Sequence, residues 1–115
     1  KPVLFMAKKD KKYVAGAFAI VGNDTLYGRH WGCAERFNML HFELCYYRTI
    51  DFCIENRLRC LDAGAQGEHK LNRGFKATKT YSAHWITDKN FKSAVANFLD
   101  EETRAIDAYI ASKSL

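Results

Sequence analysis

The sequence lacks the features that mark several large classes of protein. No apolar run approaches the length of a membrane-spanning helix, and the first residues lack the long apolar segment and small-residue cleavage site of a signal peptide. Proline occurs once, and there are no internal repeats or low-complexity stretches. We therefore expect a cytoplasmic protein without a membrane span. Its 115 residues, 48% hydrophobic and 14% aromatic, are enough for a single domain with its own core.

Metal-binding and disulfide-forming patterns are also absent. The four cysteines contain no Cys-x-x-Cys pair with zinc-type spacing, and no His-Glu-x-x-His sequence occurs. A divalent metal held by His41, Glu43, Glu68, His69 and His84 is therefore disfavoured. Three of the cysteines lie within apolar patterns, so we predict reduced and mostly buried thiols.

The charge of the chain is modestly positive. Eighteen Lys and Arg residues against thirteen Asp and Glu residues give a net charge of +5, with the excess concentrated from Lys8 to Lys12 and from Lys70 to Lys79. A positive field favours anionic partners such as phosphates, carboxylates or RNA. A lysine-rich run is also typical of a solvated connection, and we interpret Lys8 to Lys12 as a turn of this kind.

Hydrophobic periodicity in the first half predicts three strands and a helix. The strands are expected at Val3–Ala7, Tyr13–Val21 and Thr25–Trp31. The second has an almost continuous apolar sequence, which is typical of an interior strand covered on both faces. From His41 to Arg57 apolar residues recur at three and four positions, the pattern of an amphipathic helix.

The second half predicts two more strands separated by a loop, and a final helix. Strands are expected at Leu58–Asp62 and Lys79–Trp85, with Trp85 in the core, and a helix from Asp88 to Tyr109 that Thr87 or Asp88 caps. The order β-β-β-α-β-loop-β-α predicts an α/β (α+β) protein. Its sheet should be mixed and largely antiparallel, with flanking helices.

The loop between these strands contains the densest group of chemically active side chains. Glu68, His69, Lys70 and Arg73 lie within a segment bracketed by glycines, and glycine lets a ligand approach the backbone closely. Such a loop suits anion binding and proton transfer, although a plain surface connection has the same composition. Lys70 and Arg73 would share a face if the loop contained a helical turn.

Five segments in one order resemble a bacterial family of predicted N-acyltransferases, described as Fem-like or as peptidoglycan biosynthesis and recognition proteins. The segments are Tyr27–Cys33, Leu40–Tyr47, Gly64–Lys70, Arg73–Phe75 and Thr80–Trp85, and the similarity runs from Leu26 to Ala108. The resemblance implies a GNAT-like fold. It also implies that this chain is a partial domain, the C-terminal portion of a longer protein.

The resemblance implies transfer of an acyl or aminoacyl group to an amine, such as that of a cell-wall precursor. GNAT enzymes hold the CoA pyrophosphate on a glycine-rich turn after the fourth strand, whereas Gly32–Phe37 of this chain has one glycine and an acid. Acyl-CoA is therefore a less suitable donor than aminoacyl-tRNA, which Fem-type relatives use without that turn. Beyond the donor, no cofactor or metal is predicted. A tRNA and a second copy of the chain, paired through the open edge of the first strand, are candidate partners.

Acyl transfer to an amine requires a base and groups that hold the substrates. His69 is the best candidate base, with Glu68, Glu43 and His41 as further catalytic candidates, although Glu43 would also stabilise the positive end of a helix. The substrate-binding candidates are Arg29, Lys70, Arg73, Tyr81 and His84.

We expect Glu68, His69, Lys70 and Arg73 to line a single cleft, together with at least one of His41, Glu43, Tyr81 and His84. A serine hydrolase is excluded, because no carboxylate completes a triad with Ser82 and His84. The alternative function is a non-catalytic module that binds an anionic ligand, either a cell-wall precursor or RNA.

Overall fold

The computed structural model describes residues 1–65 and 68–113, without the side chains of Glu68 and His69. The chain divides into two compact units, Lys1–Gly67 and Glu68–Leu115. Among the described residues, no helix is both long enough and apolar enough to cross a membrane.

The first unit contains a four-stranded sheet. Its strands are β1 (Pro2–Lys9), β2 (Lys12–Val21), β3 (Thr25–Cys33) and β4 (Cys60–Asp62), in the spatial order β1-β2-β3-β4. The first three are antiparallel neighbours, and β4 is parallel to β3. The predicted mixed, largely antiparallel sheet is confirmed, and so is the interior position of Tyr13–Val21.

A continuous helical segment connects β3 to β4. It consists of α1 (Leu40–Phe42), a π-helical turn (Glu43–Tyr47) and α2 (Arg48–Glu55). The segment ends where the Asn56 side-chain amide donates to the carbonyl of Phe52 at 2.8 Å and Arg57 adopts a positive φ of 56°. The predicted amphipathic helix is confirmed, although periodicity did not reveal its π turn.

The core lies between this helical segment and one face of the sheet. Small residues at alternate positions of β2 let the helix approach closely, since alternate side chains of a strand share a face. Leu26 of β3 is 0% exposed, and the rings of Phe5 and Phe52 meet edge-on at 5.3 Å. The buried cluster comprises Phe5, Ala15, Ala17, Ala19, Leu26, Leu44 and Cys53.

The other face of the sheet is less well covered. Phe18 and Ile20 of β2 are half-buried, and Leu4 of β1 is 64% exposed. The prediction that the second strand is covered on both faces is therefore wrong for one face. The apolar sequence of β2 is explained by its interior position in the sheet, although only one of its two faces is fully buried.

The cysteines also differ from expectation. All four are free thiols, but Cys33 and Cys60 are exposed, Cys45 is half-buried and Cys53 alone among them is buried. The prediction of mostly buried thiols is wrong because Cys33 and Cys60 lie at the end and the start of strands, where packing against the core stops.

The second unit is helical where it is regular. A 3₁₀ helix spans Glu68–Arg73, and α3 spans Lys89–Lys113. The carboxylate of Asp88 accepts a hydrogen bond from the N–H of Phe91 at 2.8 Å, which confirms the predicted cap of the final helix.

The predicted strand at Lys79–Trp85 is wrong. These residues form neither strand nor helix, and Trp85, which we expected in the core, is 79% exposed with the Lys92 ammonium 4.4 Å from its ring centroid. The preference of aromatic and β-branched residues for strands reflects packing in a half-buried pleated surface. In the structure, the residues from Lys79 to Trp85 are all exposed, so they do not pack in such a surface.

Candidate functional site

A groove of about 520 Å³ lies in the first unit, between the β1–β2 hairpin and the start of the helical segment. The volume is within the usual range of small-molecule sites. We call it the hairpin groove. Its strand wall is formed by Ala7, Lys8, Lys9 and Val14, and its helical wall by residues 37–40 together with Glu43 and Tyr47.

The strand wall results from an irregular hairpin. The pairing of β1 with β2 shifts register between Ala7 and Lys8, which leaves Val14 as an extra residue. The loop itself is the pair Asp10 and Lys11, with φ of 51° and 67°. Positive φ at both central residues is typical of a type I′ turn. Contrary to our interpretation of Lys8 to Lys12 as a solvated turn, Lys8 and Lys9 belong to β1 and line the groove.

The two lysines are held over aromatic rings. The ammonium of Lys9 lies 5.0 Å from the ring centroid of Phe37, a groove residue, and that of Lys8 lies 4.6 Å from Tyr13. A cation–π contact orients an ammonium without neutralising it. The loop that carries Phe37 is tied to the hairpin, because the N–H of Ala34 donates to the carbonyl of Val14 at 2.7 Å.

The helical wall contains two unusual backbone features. Met39 precedes α1 with a positive φ of 66°, and the π turn that follows carries both Glu43 and Tyr47. π turns insert one residue into a helix and are frequent at functional sites. The turn is stabilised by the buried Thr49, whose Oγ1 lies 2.8 Å from the carbonyl oxygen of Cys45 and 2.9 Å from that of Tyr46.

A second feature lies along β3. This strand pairs with β4 only from Thr25 to Tyr27 and then continues to Cys33. The chain turns away after β4, because the Asp62 carboxylate accepts the N–H of Gly64 at 2.9 Å and Gly64 has a φ of 89°. Among the described residues, no strand pairs with Gly28–Cys33 on the β4 side. We call this stretch the β3 edge.

The predicted site residues of the first unit have different surroundings. Glu43 is exposed in the hairpin groove. The half-buried ring of His41 packs edge-on against Trp31 at 5.1 Å and Tyr46 at 5.6 Å, which is a packing environment. Arg29 is exposed and lies at a bulge of β3. Phe18 of β2 pairs with His30 and Ala19 pairs with Gly28, so Arg29 is an extra residue without a pairing partner in β2.

In the second unit, Lys70 and Arg73 are half-buried and lie three positions apart in the 3₁₀ helix. Residues three apart lie on the same face of a 3₁₀ helix, so the two side chains share a face, as expected if the loop contained a helical turn. Tyr81 is 84% exposed, with the Lys79 ammonium 5.7 Å from its ring centroid. His84 Nε2 lies 3.1 Å from the hydroxyl of Ser82.

Glu43 is the one predicted site residue that lines the hairpin groove in the described part of the chain. The side chains of Glu68 and His69 lie outside the described residues, so the single cleft expected around them stays a prediction. Sequence reasoning missed Lys8, Lys9 and Tyr47. The dense lysine run was visible, but its place in a groove depends on the hairpin register and on the π turn.

No group of three or more His, Cys, Asp or Glu residues within 1–65 and 68–113 is arranged to hold a metal ion.

A family model described as FemAB-like, peptidoglycan biosynthesis/recognition, matches residues 1–114. The chain belongs to the FemAB-like family. This confirms the resemblance drawn from the five segments and extends it to β1 and to the lysines of the hairpin. Neither the curated proteins nor the solved structures include a significant match to the chain. Membership of the FemAB-like family indicates a role related to peptidoglycan.

Proposed function

We propose that this FemAB-like chain is part of an N-acyltransferase that acylates an amine of a cell-wall precursor. The observation that carries the proposal is the position of Glu43, whose carboxylate lines a largely apolar groove and has no ion-pair partner within the described residues. A carboxylate in that setting is suited to bind an ammonium group.

The reaction requires the amine to lose a proton before its nitrogen attacks the acyl carbonyl. Glu43 would hold the ammonium and accept one proton from it, which is later released to solvent, and the free amine would then attack the acyl carbonyl. The bond that breaks is the ester of an aminoacyl-tRNA or the thioester of an acyl-CoA, and the second proton that the nitrogen loses as the amide forms passes to the leaving oxygen or sulfur. Tyr47, four residues further along the same wall, offers a hydroxyl donor for the developing charge.

The β3 edge provides a suitable place for the donor. Its peptide groups can hydrogen-bond an extended acyl or aminoacyl group in the way that a strand edge binds a peptide. A side chain at Gly32 would meet nothing within 4 Å, so the face of the sheet is open at this position of the β3 edge. We favour aminoacyl-tRNA over acyl-CoA, because the chain lacks the glycine-rich turn after β3. His69 and Glu68 remain alternative candidates for the base.

A recognition module without turnover is the second candidate function. Lys8 and Lys9 favour it, because they bring two positive charges to the groove, as a site for an anionic ligand would. The same groove would then bind the precursor and release it unchanged.

The proposal is tested by Glu43→Gln in the full-length protein, with Glu55→Gln as the matched control. Glu55 lies on the same helical segment but outside the groove, and its 3.4 Å ion pair with Arg48 is exposed. The assay follows a labelled acyl group from aminoacyl-tRNA or acyl-CoA to a precursor with a free amine. We expect Glu43→Gln to lower the rate by about 10²–10⁴-fold, the usual contribution of a general base, and Glu55→Gln to leave it nearly unchanged.

An unchanged rate in Glu43→Gln would exclude Glu43 as the base. Binding of the precursor by the wild-type protein, without amide formation from either donor, would favour the recognition module.

A further inference from the structure

The hairpin groove has two cations, Lys8 and Lys9, on its strand wall and one anion, Glu43, on its helical wall. Of the two cations, Lys9 is the one whose ammonium lies over a ring that itself lines the groove. Lys9 belongs to β1 and Glu43 to the π turn, and both line the same cavity. Within the described part of the chain neither is in an ion pair, so their charged atoms are more than 4.0 Å apart. The groove thus presents two separated, opposite charges to whatever it binds.

The charge of Lys9 is oriented by the protein itself. Its ammonium lies over the ring of Phe37, which lines the groove, at 5.0 Å from the ring centroid. This contact restrains a long side chain that would otherwise sample many rotamers, so less conformational entropy is lost when an anion binds. Apolar residues, among them Val14 and Leu40, line the same groove and can contact the apolar part of a ligand.

We propose that the acceptor of this FemAB-like protein is a zwitterionic amine, such as an amino acid or a peptide end that carries both an ammonium and a carboxylate. Glu43 binds the ammonium and Lys9 binds the carboxylate, so that Lys9 determines specificity without taking part in proton transfer. This inference rests on the proposed function, because it takes the groove to be the acceptor site. It excludes simple alkylamines and polyamines, which have no group for Lys9 to bind.

The experiment measures equilibrium binding to the full-length protein by calorimetry, without an acyl donor. Three probes separate the charges: Nα-acetyl-L-lysine has both, Nα-acetyl-L-lysinamide lacks the carboxylate, and Nα,Nε-diacetyl-L-lysine lacks the ammonium. We expect the wild-type protein to prefer the first probe to each of the others by about tenfold, the scale of one charge-assisted hydrogen bond.

Variants at the two paired positions of the hairpin identify the residue responsible. Lys9→Met keeps an unbranched side chain but removes the charge that lies over Phe37, so it should remove the preference for the carboxylate, whereas Lys9→Arg should largely retain it. Lys12→Met is the matched control, because Lys12 pairs with Lys9 in the hairpin but does not line the groove. It removes the same charge and should leave the preference in place.

Equal binding of acetyl-lysine and its amide by the wild-type protein would overturn the inference, and so would undetectable binding of all three probes at millimolar concentration. Equal losses in Lys9→Met and Lys12→Met would also overturn it, because general electrostatic attraction would then explain the result. The proposed function fails separately, if the preference is present but the wild-type protein forms no amide from either donor.

Discussion

Replacing Thr49 by valine should destabilise the protein through the π turn that forms one wall of the groove. Thr49 is 3% exposed, and its hydroxyl lies within hydrogen-bonding distance of the carbonyl oxygens of Cys45 (2.8 Å) and Tyr46 (2.9 Å). Valine has nearly the same shape, so the substitution leaves no large cavity. It removes the single hydroxyl donor that the two carbonyl groups of the π turn share.

The size of the effect follows from burial. Water cannot readily replace a donor at a site that is almost fully buried, so the substitution should cost about 0.5–1.5 kcal/mol, the usual net contribution of a hydrogen bond. The same substitution at Thr25 is the control, since its hydroxyl donates to the exposed carboxylate of Asp24 at 2.9 Å and water can take its place. We expect Thr25→Val to change stability by no more than about 0.5 kcal/mol.

The assay is urea unfolding followed by circular dichroism, with Thr49→Ser as a third variant that keeps the hydroxyl and loses the methyl group. We expect Thr49→Val to be the least stable of the three variants. If Thr49→Val matched the wild type, the hydroxyl would not stabilise the turn. If Thr49→Ser lost as much stability as Thr49→Val, packing of the methyl group would explain the effect.

The remaining predictions concern packing, an ion pair and a thiol. Leu26→Ala should lower the free energy of unfolding by about 2–5 kcal/mol because Leu26 is fully buried, while Leu4→Ala at a 64% exposed position should cost far less; similar losses in urea unfolding would contradict the assigned core. The hydrogen bond to Asp107 (2.7 Å) raises the pKa of Lys79, so Asp107→Asn should lower that pKa in an NMR titration. Because the folded-state pKa is raised, the pair stabilises the fold below the unfolded-state pKa, and this contribution is lost as pH rises through the folded-state pKa. Burial raises the pKa of Cys53, and the neighbouring thiol of Cys60 raises it further. Alkylation of Cys53 should therefore be slower than that of the other three thiols, and its rate should increase at a higher pH than the rates of the exposed thiols. Equal alkylation rates would count against the burial of Cys53.

Much of the fold was predictable because the local sequence patterns of several strands and helices match the environment in which those elements are found. The apolar strand Tyr13–Val21 lies inside the sheet, and the three-and-four periodicity after His41 corresponds to a helix packed on it. The cap at Asp88 also follows from local chemistry, because a carboxylate beside free N–H groups needs no distant partner. The family resemblance rested on residue identities in order, which the chain carries whatever its conformation.

The hairpin groove could not be predicted from the sequence, because it depends on tertiary structure. Lys9 lies over Phe37 because of a register shift in one hairpin, and Glu43 lines the facing wall because of a π turn that has no periodic signature. Trp85 shows the same limit, because it belongs to a strand-like sequence whose residues are exposed and form no strand. Sequence patterns record the preferences of consecutive residues, whereas a binding site depends on which distant segments come together.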